Sequence, residues 1–97
     1  MPAPPAQANA AELQRRLAQL TGHAAAHVRP YGKHLLIQMH RVDGIDTVAR
    51  LTEVARNSYS AAFRSHTGRW EPLPAPAANI EQAAELLTTL LAPYLEP

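Results

Sequence analysis

Five histidines in a chain of 97 residues, His23, His27, His34, His40 and His66, carry the most latent chemistry in this sequence. Neutral imidazole nitrogens ligate transition metals, and imidazole gains charge between about pH 7 and pH 5. Read as strands, the sequence puts His23, His27 and Arg29 on one face of a first strand, and His34, Gln38 and His40 on one face of the next. Pairing around a Tyr31-Gly32 turn would make several imidazoles cross-strand neighbours about 5 Å apart. No carboxylate or thiolate is spaced to complete a ligand set, and helical and zinc-ribbon spacings are absent. Solvent-facing histidines are therefore expected, with no metal and no other cofactor.

The same face supports a second chemistry. Arg29, Lys33, His34, Gln38 and His40, joined by Arg64, Arg69 and Trp70, make a candidate binding surface of cations with an aromatic anchor. Between Thr21 and Trp70 seven basic residues stand against three acidic, a local balance of +4 within a chain of net charge +1. Sheets of this kind hold phosphates on cations and stack bases on aromatics. Aromatics are scarce, however: Phe63 and Tyr59 belong to the expected core, which leaves Trp70 and Tyr31 as platforms. No recognition-helix, RRM or KH signature occurs. Nucleic acid is thus the weaker of two partner expectations, behind a protein partner or a second copy of the chain.

Catalytic arrangements are not visible. Ser58, Ser60, Ser65 and Thr67 lie near His66, but no Gly-x-Ser-x-Gly elbow presents any of them, and turn roles account for the hydroxyls. Asp43 and Asp46 fit turn chemistry. Gly22, Gly32, Gly44 and Gly68 each stand alone at an expected turn, so no glycine-rich phosphate loop is present. Pro-Leu-Pro-Ala-Pro at 72–76 reads as a rigid connection, since proline excludes helix and central strand.

Hydropathy periods place these residues. Residues 1–8 are Pro, Ala and Gln behind the initial Met, a pattern expected to form a mobile tail, with residues 9–97 making one α+β domain. Asn9 and Glu12 have capping-box spacing. Ala10, Leu13, Leu17 and Leu20 then mark a helix over about 10–20 that stops at Gly22. Ala24, Ala26 and Val28 alternate with polar neighbours from His23, and Leu35, Ile37 and Met39 alternate over 34–41, which predicts two strands. Asp43-Gly44 turns the chain. Residues 45–56 suit either a helix face or a strand, and the β-branched Thr47, Val48, Thr52 and Val54 favour strand. Tyr59, Ala61 and Phe63 mark a fourth strand, and 69–73 a short fifth. Asn79 and Gln82 repeat the capping-box spacing before Ile80, Ala83, Ala84, Leu87 and Leu91, an apolar stripe that Leu86 and Leu90 widen.

The expected fold is α-β(5)-α: an antiparallel meander with both helices on one sheet face and the other face polar, basic and rich in histidine. A helix over 46–56 would instead give α-β-β-α-β-β-α. Cysteine is absent, which fits a reducing compartment, and no run of about 18 apolar residues could cross a membrane. The start of the chain has no secretory signature, so a cytoplasmic location is expected. A small non-enzymatic binding or regulatory domain fits best, and the broad stripe of the last helix, with Leu36 and Val54 on the polar sheet face, raises a homodimer as one form of it.

Overall fold

A computed structural model describes residues 5–97. The element order is α1 (Pro5–Thr21), β1 (Ala26–Tyr31), β2 (His34–Arg41), β3 (Gly44–Ala55), β4 (Ser58–Arg64), β5 (Trp70–Pro72) and α2 (Ile80–Leu90), closed by a 3-10 turn at Ala92–Leu95. The strands form one antiparallel sheet in the order β1-β2-β3-β4-β5. Both helices lie on one face of it, α1 over β1 and α2 beside α1 towards β4. This is the α-β(5)-α meander read from the sequence. The version with a helix over 46–56 does not form.

α1 departs from expectation at its start. It begins at Pro5, so residues 5–8 are helical rather than part of a tail; the expectation for residues 1–4 lies outside the described residues. Proline is tolerated in a first turn, and the alanines that follow are strong helix formers, which extends the helix upstream of the spaced cap. Asn9 consequently sits inside the helix and caps nothing. Its Nδ2 donates to the Tyr59 hydroxyl at 2.8 Å, and Glu12 accepts instead from Arg15 and Arg16. The C-terminus ends as expected, with Gly22 at φ 81° donating its N–H to the Ala18 carbonyl.

β1 starts later than predicted. His23 lies in the bend before it, where its Nδ1 accepts from the Ala25 N–H at 3.3 Å, so it does not share a face with His27 and Arg29. The β1–β2 hairpin closes through Gly32 at φ 59° and Lys33, with Tyr31 opposite His34. β3 has two irregularities. Ile37 faces Ala49 while Gln38 faces Thr47, so Val48 is an extra residue, and a second bulge leaves Val54 unpaired. The first bulge lets Val48 and Ala49, adjacent in sequence, both be buried.

The core lies between sheet and helices. Leu13 and Leu17 of α1, Ile37 and Met39 of β2, Leu51 of β3, Leu87 of α2 and Leu95 of the closing turn are sealed from solvent, with Leu35 of β2 buried beside them. α2 carries the expected capping box, with Gln82 N–H donating to Asn79 Oδ1 at 2.8 Å and the Gln82 side chain returning to the Asn79 N–H. Its stripe of Ile80, Ala83, Ala84, Leu87 and Leu91 is consumed by this core. Only Leu90 stands out, 43% exposed. Residues 73–78 leave the sheet through a tight turn, Ala75 N–H to the Leu73 carbonyl at 2.8 Å, and are tied to β4 by Leu73 N–H to the Ala61 carbonyl and by a paired bridge between Tyr59 and Ala78.

One arginine locks the end of the chain. Arg41 reaches Asp46 at 3.3 Å and donates to the carbonyls of Tyr94 and Glu96, fastening the closing turn to the β2–β3 hairpin.

Candidate binding face of the sheet

The strand period of two and the ladder register decide which side chains reach the face away from the helices. One row across the sheet reads Arg29, Leu36, Arg50, Ala62 and Pro72 from β1 to β5. A neighbouring row places His27 opposite Gln38 and Gln38 opposite Thr47, with Arg64 opposite Trp70 further across. Tyr31, His34, Thr52 and Ser60 form the row on the other side.

Six of the eight predicted surface residues meet there. Arg29 and Arg64 are exposed. His34 is held by Thr52, Nδ1 to Oγ1 at 2.8 Å, and Gln38 Nε2 donates to Thr47 Oγ1 at 3.1 Å. His40 stacks on His27 across the β1–β2 pair, the ring centroids 3.9 Å apart. Trp70 is half-buried, neither core nor free. The remaining two lie at the margins: Lys33 in the hairpin turn, and Arg69 in the loop before β5, where His66, Trp70 and others line an open depression of about 440 Å³. In that loop the Ser65 and Thr67 hydroxyls bond each other at 2.8 Å, as turn residues do.

The residue at the centre of the face is one that sequence reasoning missed. Arg50 lies in β3 between Leu36 and Ala62, and its guanidinium carbon sits 4.5 Å from the centroid of the Trp70 ring. β4 separates the two strands, and the small Ala62 opposite Arg50 leaves room for the contact. The Arg50 Nε is buried without a hydrogen-bond partner. The available signal was its alternation with the apolar Ala49 and Leu51. That signal assigns a face only once 45–56 is known to be a strand.

Charge is segregated across the sheet. The open face holds Arg29, Arg50 and Arg64 with His27, His34 and His40, and all eight carboxylates of the chain lie elsewhere. Asp43 is in a hairpin turn, Asp46 is opposite Met39 and bound to Arg41, Glu53 is opposite the buried Tyr59, and Glu71 is opposite Phe63. Glu12, Glu81, Glu85 and Glu96 belong to the helical layer and the C-terminus. Two groups are displaced from their ordinary ionisation. Hydrogen bonds from Arg15 and then Arg16 hold the Glu12 carboxyl below its usual range, while burial, reinforced by the Glu53 charge, pushes the Tyr59 hydroxyl up.

The sheet edges are less available than the face. In β1 the outward Val28 N–H is taken by Gln14 Oε1 of α1 at 2.9 Å, and Pro30, next along that edge, has no N–H. β5 is three residues long and ends in Pro72. Short strands, prolines and satisfied donors blunt edges against strand addition. Among the described residues, no group of three or more His, Cys, Asp or Glu side chains converges as metal ligands would, and no helix is long and apolar enough to cross a membrane.

No protein-family model matches the chain, and no curated protein or solved structure matches it significantly.

Proposed function

We propose that this chain is a non-enzymatic protein-docking domain that receives an acidic segment of a partner protein on the open face of its sheet. The supporting observation is the charge segregation: three arginines and three histidines surround Leu36 and Trp70, and no carboxylate of the chain shares their face. Tryptophan, tyrosine and arginine around an apolar centre are the residues that dominate binding energy at protein interfaces. Complementary charge steers such a partner in and selects against cationic ones.

The same charge argues against a second copy on this face, since self-docking would bring arginine against arginine. The apolar stripe of α2 offers no second route, because the core uses it. The lack of cysteine, and of a membrane-crossing helix among the described residues, is compatible with a cytoplasmic setting, which belongs to this proposal.

Amide chemical-shift mapping with an oligoglutamate peptide, and separately with oligothymidine, tests the reading at low and moderate salt. Shifts confined to the open-face residues of β1 to β5 with the peptide, fading as salt rises, are the expected result. Shifts with oligothymidine alone would transfer the face to single-stranded nucleic acid. Shifts with neither would remove the face as an anionic docking surface.

A further inference from the structure

Resting on that reading, we infer that Arg50, stacked on Trp70, is a preformed receptor for one carboxylate of the docked segment. The fold contains its own comparison. Arg41, the other arginine of the central strands to be partly buried, has each of its three guanidinium nitrogens engaged, by Asp46 and by the Tyr94 and Glu96 carbonyls. That is a structural arginine. Arg50 sits in the adjacent strand, also partly buried, yet none of the ion pairs among the described residues includes it and its Nε has no acceptor.

The neighbours explain why the site stays open. Leu36 and Ala62 flank Arg50 directly in the ladder and offer no side-chain acceptor. The Trp70 ring holds the guanidinium through its face at 4.5 Å, which restrains the side chain without using its N–H groups. A restrained, half-desolvated guanidinium loses little further freedom on binding, and its planar fork matches a carboxylate with two parallel hydrogen bonds. Arg29 and Arg64, exposed at the flanks, supply general attraction rather than a fixed geometry.

Trp70 is the sole tryptophan, so its fluorescence reports on this site in the full-length chain. Titration with an oligoglutamate peptide is expected to change Trp70 emission. R50Q should weaken binding by about 10-fold or more, R50K should recover little because an ammonium lacks the planar fork, and R29Q should weaken it only about 2-fold to 3-fold. Thermal melts of the variants establish that each is folded. Equal losses in R50Q and R29Q, or an R50K variant that binds like the wild type, would overturn the receptor. Amide shifts across the face with unchanged Trp70 emission and no loss in R50Q would also overturn it, while leaving the docking face standing. No response of any kind to the peptide, or a response to oligothymidine alone, would overturn the docking reading and the receptor with it.

Discussion

The imidazoles of His27 and His40 stack with their centroids 3.9 Å apart and their planes 22° from parallel, although the ladder sets His27 opposite Gln38 and places His40 one diagonal further. The groups facing the stack are Arg29 on β1, Gln38 on β2, and Ile45 and Thr47 on β3. None supplies a negative charge. The pair is therefore held by ring contact rather than by an ion pair, and H40A is expected to cost about 0.5–1.5 kcal/mol. Urea denaturation checks this, and a loss well above that range would show that more than the ring contact is removed.

Tyr59 ties α1 to the sheet. Its hydroxyl accepts from Asn9, and burial followed by the Glu53 charge raises its ionisation above the ordinary value of 10.0. The folded state therefore favours the protonated phenol. The resulting stability is fully present below about pH 10 and is lost as pH rises through the folded-state value. Y59F should cost about 1 kcal/mol near neutrality, because Asn9 loses its acceptor. It should also flatten the alkaline loss. Urea denaturation of both forms across the alkaline range checks both effects, and parallel curves for the two would contradict the assignment.

Gln14 guards an edge. Its side-chain oxygen satisfies the outward Val28 N–H, beside an open groove of about 380 Å³ between α1 and β1. Q14A should expose that donor, accelerate Val28 amide exchange, and increase concentration-dependent self-association measured by sedimentation, as unpaired strand edges do. Unchanged Val28 exchange would show that another group covers the edge.

The sequence carries the elements of this fold because side-chain periodicity is a local property. Leu35, Ile37 and Met39 alternate and form the central buried strand; Asn79 and Gln82 cap α2 as their spacing predicts; the glycine turns fall where the period breaks. The charge imbalance of residues 21–70 is likewise visible in one dimension, and most of the predicted basic surface follows from strand alternation.

What local pattern could not reveal depended on partners distant in the chain. Asn9 has capping spacing with Glu12, yet it lies within α1 and its side chain donates to Tyr59, fifty positions away. The bulge at Val48 shifts the register of β3, so the face assigned to the residues before Arg50 changes partway along the strand. Arg50 meets Trp70 only because two intervening turns bring β5 to within one strand of β3, with Ala62 small enough to let them touch. Alternation along single strands thus determined which side chains share a face. Tertiary pairing alone decided that the cations of that face lie together with no carboxylate among them, since only the register across five strands can place residues from Arg29 to Trp70 side by side.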